Sequence, residues 1–142
     1  MTPREQVVLE AMSWLGTPYH HCADVKGAGV DCLMLLVCVY RACGLAAANV
    51  DPRPYSPQWH LHRSEELYLQ GLGLANATET TTPQAGDIAV YKFGYTFSHA
   101  GILVDQHHII HALKDSGAVT LHRLNESPLA GRDVKFFSIV EG

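Results

Sequence analysis

The sequence predicts an α+β fold in which helices near the N terminus pack on an antiparallel sheet built by the C-terminal half. Two observations support this prediction. Apolar residues follow helical spacing before Gly44, and short extended runs separated by turns follow Pro83. The length of 142 residues and the hydrophobic content of 47% predict one domain, residues 1–142, with enough apolar surface for a core.

The first helix is predicted by a capping box. We expect Thr2 to accept the amide of Glu5, whose carboxylate reaches back to Thr2, while Pro3 suits the first helical position. Gly16 and Pro18 are expected to end this helix. Its expected apolar face consists of Val7, Val8, Ala11, Met12 and Leu15.

A continuous apolar run at residues 33–40 follows a glycine-containing loop at residues 20–29. Such a run fits a buried strand or a buried helix. We predict a helix that starts at Cys32, because the run continues through residues 41–42 without turn signals and Gly44 suits a helix cap. A helix that is apolar on every side belongs at the centre of a domain.

The rest of the chain divides into an irregular segment and a set of strands. Residues 46–63 contain three prolines and are expected to be irregular, and a short helix is expected at residues 64–69. Residues 76–82 are polar and carry no strand prediction. Strands are predicted at residues 87–93, 99–104, 108–113, 119–123 and 134–140, joined by turns such as 105–107 and 115–117.

Composition excludes several classes of function. Ten Lys and Arg against fourteen Asp and Glu give a net charge of −4, without the basic stripe that a nucleic-acid partner requires. The run at residues 33–40 is too short to cross a bilayer, so no membrane insertion is expected. Without a visible signal peptide, the protein is expected to be cytoplasmic at synthesis. The four cysteines form no CxxC pair and are expected to be free thiols.

Cys32 is the leading candidate for a nucleophile. The positive end of a helix dipole stabilises an anion, so a thiol at the start of the central helix forms a thiolate more readily. Cys22, in the histidine-rich loop at residues 20–22, is the competing thiol. A third interpretation makes Cys32 an inert, buried small side chain.

Two of the nine histidines lie where a thiol enzyme needs them. A thiol nucleophile requires a base, and the base requires a third group that fixes its tautomer. His99 opens a predicted strand among small residues, and His111 lies on the next strand. If these strands pair about the turn at residues 105–107, the two imidazoles are opposite or diagonal neighbours on one face.

Five short blocks of sequence then stand out between residues 10 and 113. They read WLGTPY at 14–19, GVDC at 29–32, GDIAVY at 86–91, SHAGI at 98–102 and IHA at 110–112. In this order they resemble the NlpC/P60 family of cysteine peptidases. The resemblance implies a papain-like α+β fold and hydrolysis of peptide bonds in peptidoglycan stem peptides, typically beside D-Glu and a diamino acid.

The resemblance also implies a role for individual residues. Cys32 would be the nucleophile, His99 the base and His111 the third polar residue. Tyr19 would donate its hydroxyl near the oxyanion or the substrate, and Asp31 is a second candidate there. For Asp31 a helix N-cap is the expected role. No cofactor and no metal is implied.

Three segments, at residues 18–21, 29–33 and 51–62, resemble most the phage-associated branch of cell-wall peptidases. This resemblance implies phage or prophage tail proteins as partners and a virion-associated protein that acts on the cell wall. Two features depart from many members of the family. The loop reads His20-His21-Cys22 instead of a glycine pair, and Leu33 replaces a serine after the nucleophile, which removes a hydroxyl but keeps the thiol.

Three alternatives stay open at this stage. A non-catalytic phage tail assembly protein could keep the fold, and an acyltransferase could pass the same acyl-enzyme to an amine or a lipid. The third alternative is a metal site. Its potential ligands are His20, His21, Cys22, His60, His62, His107 and His108, although their spacing is not diagnostic of zinc.

Overall fold

The computed structural model describes residues 1–45, 53, 77–94 and 96–140. Within these residues, two α-helices pack on one face of a six-stranded antiparallel sheet, and a two-stranded hairpin precedes the second helix. The predicted α+β class is confirmed. The helices are α1 (Pro3–Met12) and α2 (Cys32–Ala42), and the strands are β1 (Asp24–Val25), β2 (Gly29–Val30), β3 (Thr78–Thr80), β4 (Ile88–Phe93), β5 (Thr96–Leu103), β6 (His108–Leu113), β7 (Ala118–Arg123) and β8 (Val134–Ser138).

The sheet has the strand order β3-β8-β4-β5-β6-β7. Strands β4 to β7 follow one another as a meander, and β8 returns to pair with β4 on one side and β3 on the other. Antiparallel neighbours place side chains of one face in direct or diagonal contact. The three neighbouring strands β5, β6 and β7 can therefore join residues that lie far apart in the sequence.

Helix α1 begins as predicted and ends earlier than predicted. Thr2 Oγ1 accepts the Glu5 amide at 3.1 Å, and Glu5 Oε1 accepts the Thr2 amide at 3.2 Å, which confirms the capping box. The helix ends at Met12, before Gly16. Its expected apolar face is only partly correct, because Met12 and Leu15 are 44% and 40% exposed. Of that set, Val7 and Ala11 are buried.

A contact that the sequence did not predict fixes α1 on the sheet. Arg4 Nη1 donates to Asp87 Oδ1 at 2.7 Å, and Asp87 is only 1% exposed. Arg4 Nη2 also donates to Ser138 Oγ and to the carbonyl of Val140. A buried carboxylate is tolerated only when a charge and hydrogen bonds compensate it. Arg4 therefore joins the start of α1 to the residue before β4 and to the end of β8.

Helix α2 is the predicted central helix, which settles the choice between strand and helix. It runs to Ala42, and Gly44 follows with a φ of +72°, a conformation that glycine adopts without strain. The Tyr40 hydroxyl donates to the carbonyl of Gly86 at 2.6 Å and ties the helix to the sheet. Its buried residues are Leu33, Met34, Leu35, Leu36, Val37, Val39 and Tyr40.

Apolar residues form two clusters on opposite faces of the sheet. We call the larger one the helix-side core; α1 and α2 pack there on sheet residues that include Ala100, Ile102 and Ile110. We call the smaller one the outer cluster; it consists of Ala89, Tyr91, Leu103, Ile109 and Leu129. Because side chains alternate along a strand, successive residues of β5 belong to different clusters.

Several expectations differ from the structure or lie outside it. The loop at residues 20–29 contains the β1–β2 hairpin, and the polar stretch at residues 76–82 contains β3. β3 is an edge strand that pairs with β8, so the alternating apolar pattern of a central strand is not required of it. The predicted helix at residues 64–69 and most of the segment at 46–63 lie outside the described residues. No helix in the described ranges is both long and apolar enough to span a membrane.

Candidate active site

Cys32 is the first residue of α2, as the sequence predicted. The helix dipole presents its positive end at this position and favours a thiolate. The side chain is partly buried and packs against the helix-side core, as do Tyr19 and Phe97. Cys32 therefore combines partial accessibility with the electrostatic environment that a nucleophilic thiol requires.

Asp31 caps α2. Its Oδ1 accepts the amide of Met34 at 2.9 Å, and its Oδ2 accepts the amide of Cys22 at 2.7 Å. The residue is only 2% exposed. This is the N-cap role expected from the sequence, and it also holds the 20–22 loop against the start of the helix. A place for Asp31 beside substrate stays a prediction.

Tyr19 lies beside the same helix start. Its amide donates to the carbonyl of Gly117 at 2.8 Å, and its backbone pairs with Val30. Burial raises the pKa of the Tyr19 hydroxyl far above its ordinary value, and negative charge on Cys32 and on Asp31 raises it further. Tyr19 therefore remains protonated and can act only as a neutral hydroxyl next to the thiol.

His99 and His111 are in direct contact. Strands β5 and β6 pair Ile102 with Ile110 and Leu103 with Ile109, so the next pair in this register places His111 opposite Gly101. His99 lies two residues along β5 on the same face, diagonal to His111. His99 Nε2 and His111 Nδ1 are 2.7 Å apart, a hydrogen-bond distance. The hairpin thus brings the two histidines together in the diagonal arrangement.

A β-bulge lies directly before His99. Tyr91 pairs with His99, but Lys92 pairs with Phe97, so Ser98 is the extra residue. The bulge turns Phe97 toward the helix-side core and leaves His99 on the face of Tyr91, which belongs to the outer cluster. The imidazole of His99 therefore projects from the face opposite the body of α2. Its approach to the thiol of Cys32 stays a prediction.

Gly101 allows β5 and β6 to approach closely beside the two histidines. A Cβ atom at Gly101 would lie 2.6 Å from the carbonyl oxygen of Ile110 and 2.7 Å from Cδ1 of Ile109. Real Cβ atoms essentially never come this close to backbone oxygens. The glycine is thus required by packing, at the position that sets the spacing of His99 and His111.

Both histidines are held in the neutral form. His99 is 6% exposed and His111 is fully buried. Burial lowers the pKa of His99, and the charges of Arg132 and His122 lower it further. Burial lowers the pKa of His111 as well, and repulsion from any positive charge on His99 or His122 lowers it further. Neutral imidazoles can accept protons, which is the state that a general base needs.

Arg132 reaches this site through an aromatic ring. Its guanidinium lies 3.7 Å from the ring centroid of Phe93, and that ring lies 5.0 Å from the ring of His99. Arg132 is held there by bonds from Nε to the carbonyl of Pro128 and from Nη1 to the carbonyl of Lys92. A fixed positive charge near His99 opposes protonation of the imidazole.

No role for His122 was predicted from the sequence. It lies on β7, where its Nδ1 is 2.8 Å from His111 Nε2. His122 pairs with Ile109 and is therefore diagonal to His111 on the same face. The available signal was a third histidine on the strand after His111, but using it required the β6–β7 register. We refer to His99, His111 and His122 as the histidine chain.

A second thiol and a second imidazole meet in the 20–22 loop. Cys22 Sγ lies 3.2 Å from His21 Nε2, and His21 Nδ1 lies 3.7 Å from Asp31 Oδ2. We refer to these three residues as the loop cluster. One ligand atom from each lies within 4.8 Å of the others, and the donor types suit Zn²⁺. The cluster could hold a metal ion, and the expectation of no metal stays a prediction.

Comparisons with known proteins identify a family and a shared fold. A sequence profile described as the NlpC/P60 family matches residues 16–137. The NlpC/p60 domain of the peptidoglycan hydrolase SagA has a TM-score of 0.60 and 19% identity, over 93% of this chain and 96% of that chain. RipB, a peptidoglycan hydrolase from Mycobacterium tuberculosis, has a TM-score of 0.62 and 19% identity, over 99% of this chain and 66% of that chain.

A third similar structure is longer. An NlpC/P60 family protein from Bacillus cereus ATCC 10987 has a TM-score of 0.63 and 18% identity, over 93% of this chain but only 39% of its own chain. No curated protein sequence matches the chain. The family profile covers far more than half of the residues, and the structural neighbours share the arrangement of helices and sheet. The chain therefore belongs to the NlpC/P60 family and shares its fold with two peptidoglycan hydrolases.

Proposed function

We propose that the protein is a cysteine endopeptidase that hydrolyses peptide bonds in peptidoglycan stem peptides, beside D-Glu and a diamino acid. Cys32 is the nucleophile, His99 the base and His111 the residue that orients the base. The observation that carries this proposal is the buried bond of 2.7 Å between His99 Nε2 and His111 Nδ1. It occurs in a chain with a thiol at a helix start and with the NlpC/P60 sequence pattern.

The first step transfers the thiol proton to His99. Because Nε2 of His99 is bonded to His111, Nδ1 is the atom left to accept that proton. The buried imidazolium that forms is compensated by the thiolate of Cys32, which forms at the same moment. The sulfur then attacks the carbonyl carbon of the scissile bond and produces a tetrahedral oxyanion.

The oxyanion needs hydrogen-bond donors. The positive end of α2 at Cys32 stabilises negative charge. The hydroxyl of Tyr19 is a second donor in this proposal, since its raised pKa keeps its proton in place beside the thiol. These groups oppose the developing charge without having to rearrange, which is the largest contribution in many acyl-transfer enzymes.

The second half of the reaction reverses the roles. The imidazolium of His99 gives its proton to the leaving amine, the C–N bond breaks, and a thioester to Cys32 remains. Water then attacks the thioester carbonyl while His99 Nδ1 takes its proton. Collapse of the second tetrahedral intermediate releases the new carboxylate and returns the Cys32 thiol.

Two further features of the proposal concern the setting. The match of the family profile to residues 16–137 supports one catalytic domain over residues 1–142. The segments at residues 18–21 and 29–33 resemble the phage-associated branch. We infer from this resemblance that the enzyme acts on the cell wall with phage or prophage tail proteins as partners. Particles that lack these tail proteins should not cleave the cell wall, whereas the purified enzyme should still cleave soluble peptides.

The decisive experiment is mass spectrometry of defined muropeptides after incubation with the wild type, Cys32→Ala and Cys22→Ala. We expect the wild type to release fragments that carry one added water at the cut, beside D-Glu. Cys32→Ala should release none, and Cys22→Ala should match the wild type, because the backbone amide that Asp31 binds is kept. Cleavage that persists in Cys32→Ala would contradict the proposed nucleophile.

The same samples separate the alternatives. A product joined to an added amine in place of water identifies an acyltransferase, and an intact substrate in all three samples identifies a non-catalytic assembly protein. Labelling with iodoacetamide should modify Cys32 at the rate at which activity is lost. If the label on Cys22 tracks the loss instead, the loop cluster is the active site and the assignment is wrong.

A further inference from the structure

The third member of the histidine chain has no part in the proposed triad. His111 is bonded on both sides, by Nδ1 to His99 at 2.7 Å and by Nε2 to His122 at 2.8 Å. The ring planes are steeply inclined, at 65° and 74°, with centroids 5.0 Å and 4.9 Å apart. This geometry directs ring nitrogens at each other instead of stacking the faces. The chain therefore consists of two successive hydrogen bonds across three neighbouring strands.

The number of protons restricts the directions that the two hydrogen bonds of the histidine chain can have. A neutral imidazole has one N–H and one lone pair, and His111 uses both of its nitrogens. It must therefore donate to one neighbour and accept from the other. If His111 donates to His122, it accepts from His99 Nε2–H, and the lone pair of His99 lies on Nδ1. If His122 donates to His111, His99 carries its proton on Nδ1 and cannot accept another there.

We propose that His122 is a positioning residue, whose Nδ1 accepts a hydrogen bond from the Nε2–H group of His111. This bond holds His99 in the tautomer with its proton on Nε2 and its lone pair on Nδ1. This inference rests on the proposed role of His99 as the base. If the hydrogen bonds ran in the opposite direction, Nδ1 of His99, the atom proposed to take the thiol proton, would carry a proton instead of a lone pair. His122 thus selects the tautomer of the base from the far side of β6, without contact with substrate.

The position of His122 suits this role. It is anchored by the β6–β7 ladder, in which Ile109 pairs with His122 and His111 pairs with Thr120. Strand pairing fixes a diagonal neighbour more firmly than a loop does. His122 is half-buried, whereas His99 and His111 are buried. Of the three rings, His122 is therefore the one most exposed to solvent. Whether its Nδ1 accepts or donates a hydrogen bond determines the direction of both bonds in the histidine chain.

Nitrogen-15 NMR of the histidine side chains in the wild-type protein measures the tautomer of each ring and so tests the direction of the hydrogen bonds. The expected spectrum shows His99 and His111 as neutral rings with the proton on Nε2 and an unprotonated Nδ1. A proton on Nδ1 of either ring would overturn the proposal. This measurement requires no variant and no activity, so it stands even if a substituted protein fails to fold.

Two substitutions of nearly equal size, asparagine and leucine, test whether the acceptor at residue 122 determines the tautomer of His99. His122→Asn keeps an acceptor oxygen near the position of Nδ1, and His122→Leu removes it. We expect His122→Leu to populate the Nδ1–H form of His99 and to lower Cys32-dependent kcat by roughly 10–100-fold, with KM changed less than about twofold. His122→Asn should keep the wild-type spectrum and stay within roughly threefold of its kcat.

The outcomes distinguish this inference from the proposed function. A wild-type tautomer pattern in His122→Leu, or equal losses of kcat in the two variants, would overturn the role of His122. A wild type that shows the expected tautomers but cleaves no muropeptide would overturn the proposed function. The proposed direction of the hydrogen bonds in the histidine chain would still hold. Rescue by asparagine but not by leucine would support the acceptor role over a purely structural one.

Discussion

Two groups of residues in this protein, the histidine chain and the loop cluster, place imidazoles in different surroundings. In the histidine chain, the His99–His111 and His111–His122 contacts are 2.7 Å and 2.8 Å, and His111 is fully buried. In the loop cluster, His21 lies 3.2 Å from the thiol of Cys22, and 34% of its side chain is exposed. Both groups contain the imidazole that thiol activation requires.

The difference lies in the surroundings of the imidazole. His21 belongs to a loop, and its Nδ1 stands 3.7 Å from the Asp31 carboxylate, whose two oxygens also accept backbone amides. His99 has its Nε2 bonded to a buried ring on a paired strand. A histidine that acts as a base needs its second nitrogen held in place, and a buried ring on a paired strand holds it more firmly than a loop does.

The largest expected effect compares single alanine variants across the two groups. His99→Ala should lower kcat by about 10³-fold or more, because the proton acceptor is lost. His111→Ala should cost less, roughly 10–100-fold, since an orienting group contributes less than the base it orients. His21→Ala should leave kcat within about twofold. Steady-state kinetics on one defined muropeptide measures all three.

The pattern of losses decides between the two groups. A loss in His21→Ala as large as in His99→Ala would move the active site to the loop cluster. Equal losses in His99→Ala and His111→Ala would contradict the division into base and orienting residue. Circular dichroism of each variant separates a kinetic loss from unfolding.

Much of the fold could be predicted because it depends on local chemistry. The capping box at Thr2 and the apolar run after Cys32 are signals within one or two turns of a helix. The β3 strand at Thr78–Thr80 has no such signal, because an edge strand is defined by its partner. The Arg4–Asp87 ion pair joins residues 83 positions apart, and no local pattern predicts it.

The site divides along the same line. His99 and His111 flank one short turn, so a hairpin register could be anticipated, and their diagonal contact follows from it. His122 depends on a second register, which is set by the 3-10 turn at Lys114–Ser116 and the left-handed Gly117. The sequence predicted a plain turn there, from which the β6–β7 pairing could not be derived. The N-cap role of Asp31 was predictable, because capping is local.

A smaller effect is expected from Gly101→Ala, which tests whether strand spacing sustains the histidine chain. The added methyl group would meet the carbonyl oxygen of Ile110 at 2.6 Å, so β5 and β6 must separate. We expect a loss of about 1–3 kcal/mol in the free energy of unfolding, the usual cost of overpacking. The bond between His99 and His111 should lengthen with it, and kcat should fall by more than the unfolded fraction explains.

Gly44→Ala is the matched control for that variant. Gly44 has open space around it and a φ of +72°, so alanine there costs stability through backbone strain, at the C-terminal end of α2 and outside the β5–β6 pairing. At equal loss of stability, only Gly101→Ala should lower kcat. Parallel losses in the two variants would show that strand spacing at Gly101 has no specific link to the site.

The smallest expected effect concerns acid stability, where the burial of the histidine chain sets it apart from the loop cluster. Burial holds the pKa of His111 below its ordinary value of 6.5, so between that value and the lowered one the unfolded chain binds a proton that the folded protein does not. Stability is therefore fully present above about pH 6.5 and falls as the pH decreases through the window.

From pH 7.5 to 5.5, one such histidine lowers the free energy of unfolding by about 1.4 kcal/mol. His111→Asn, which cannot be protonated, should lose about that much less over the same interval in urea unfolding experiments. If the two proteins lose stability in parallel, His111 is protonated in the folded state at these pH values, and the neutral, proton-accepting chain that the mechanism requires does not exist.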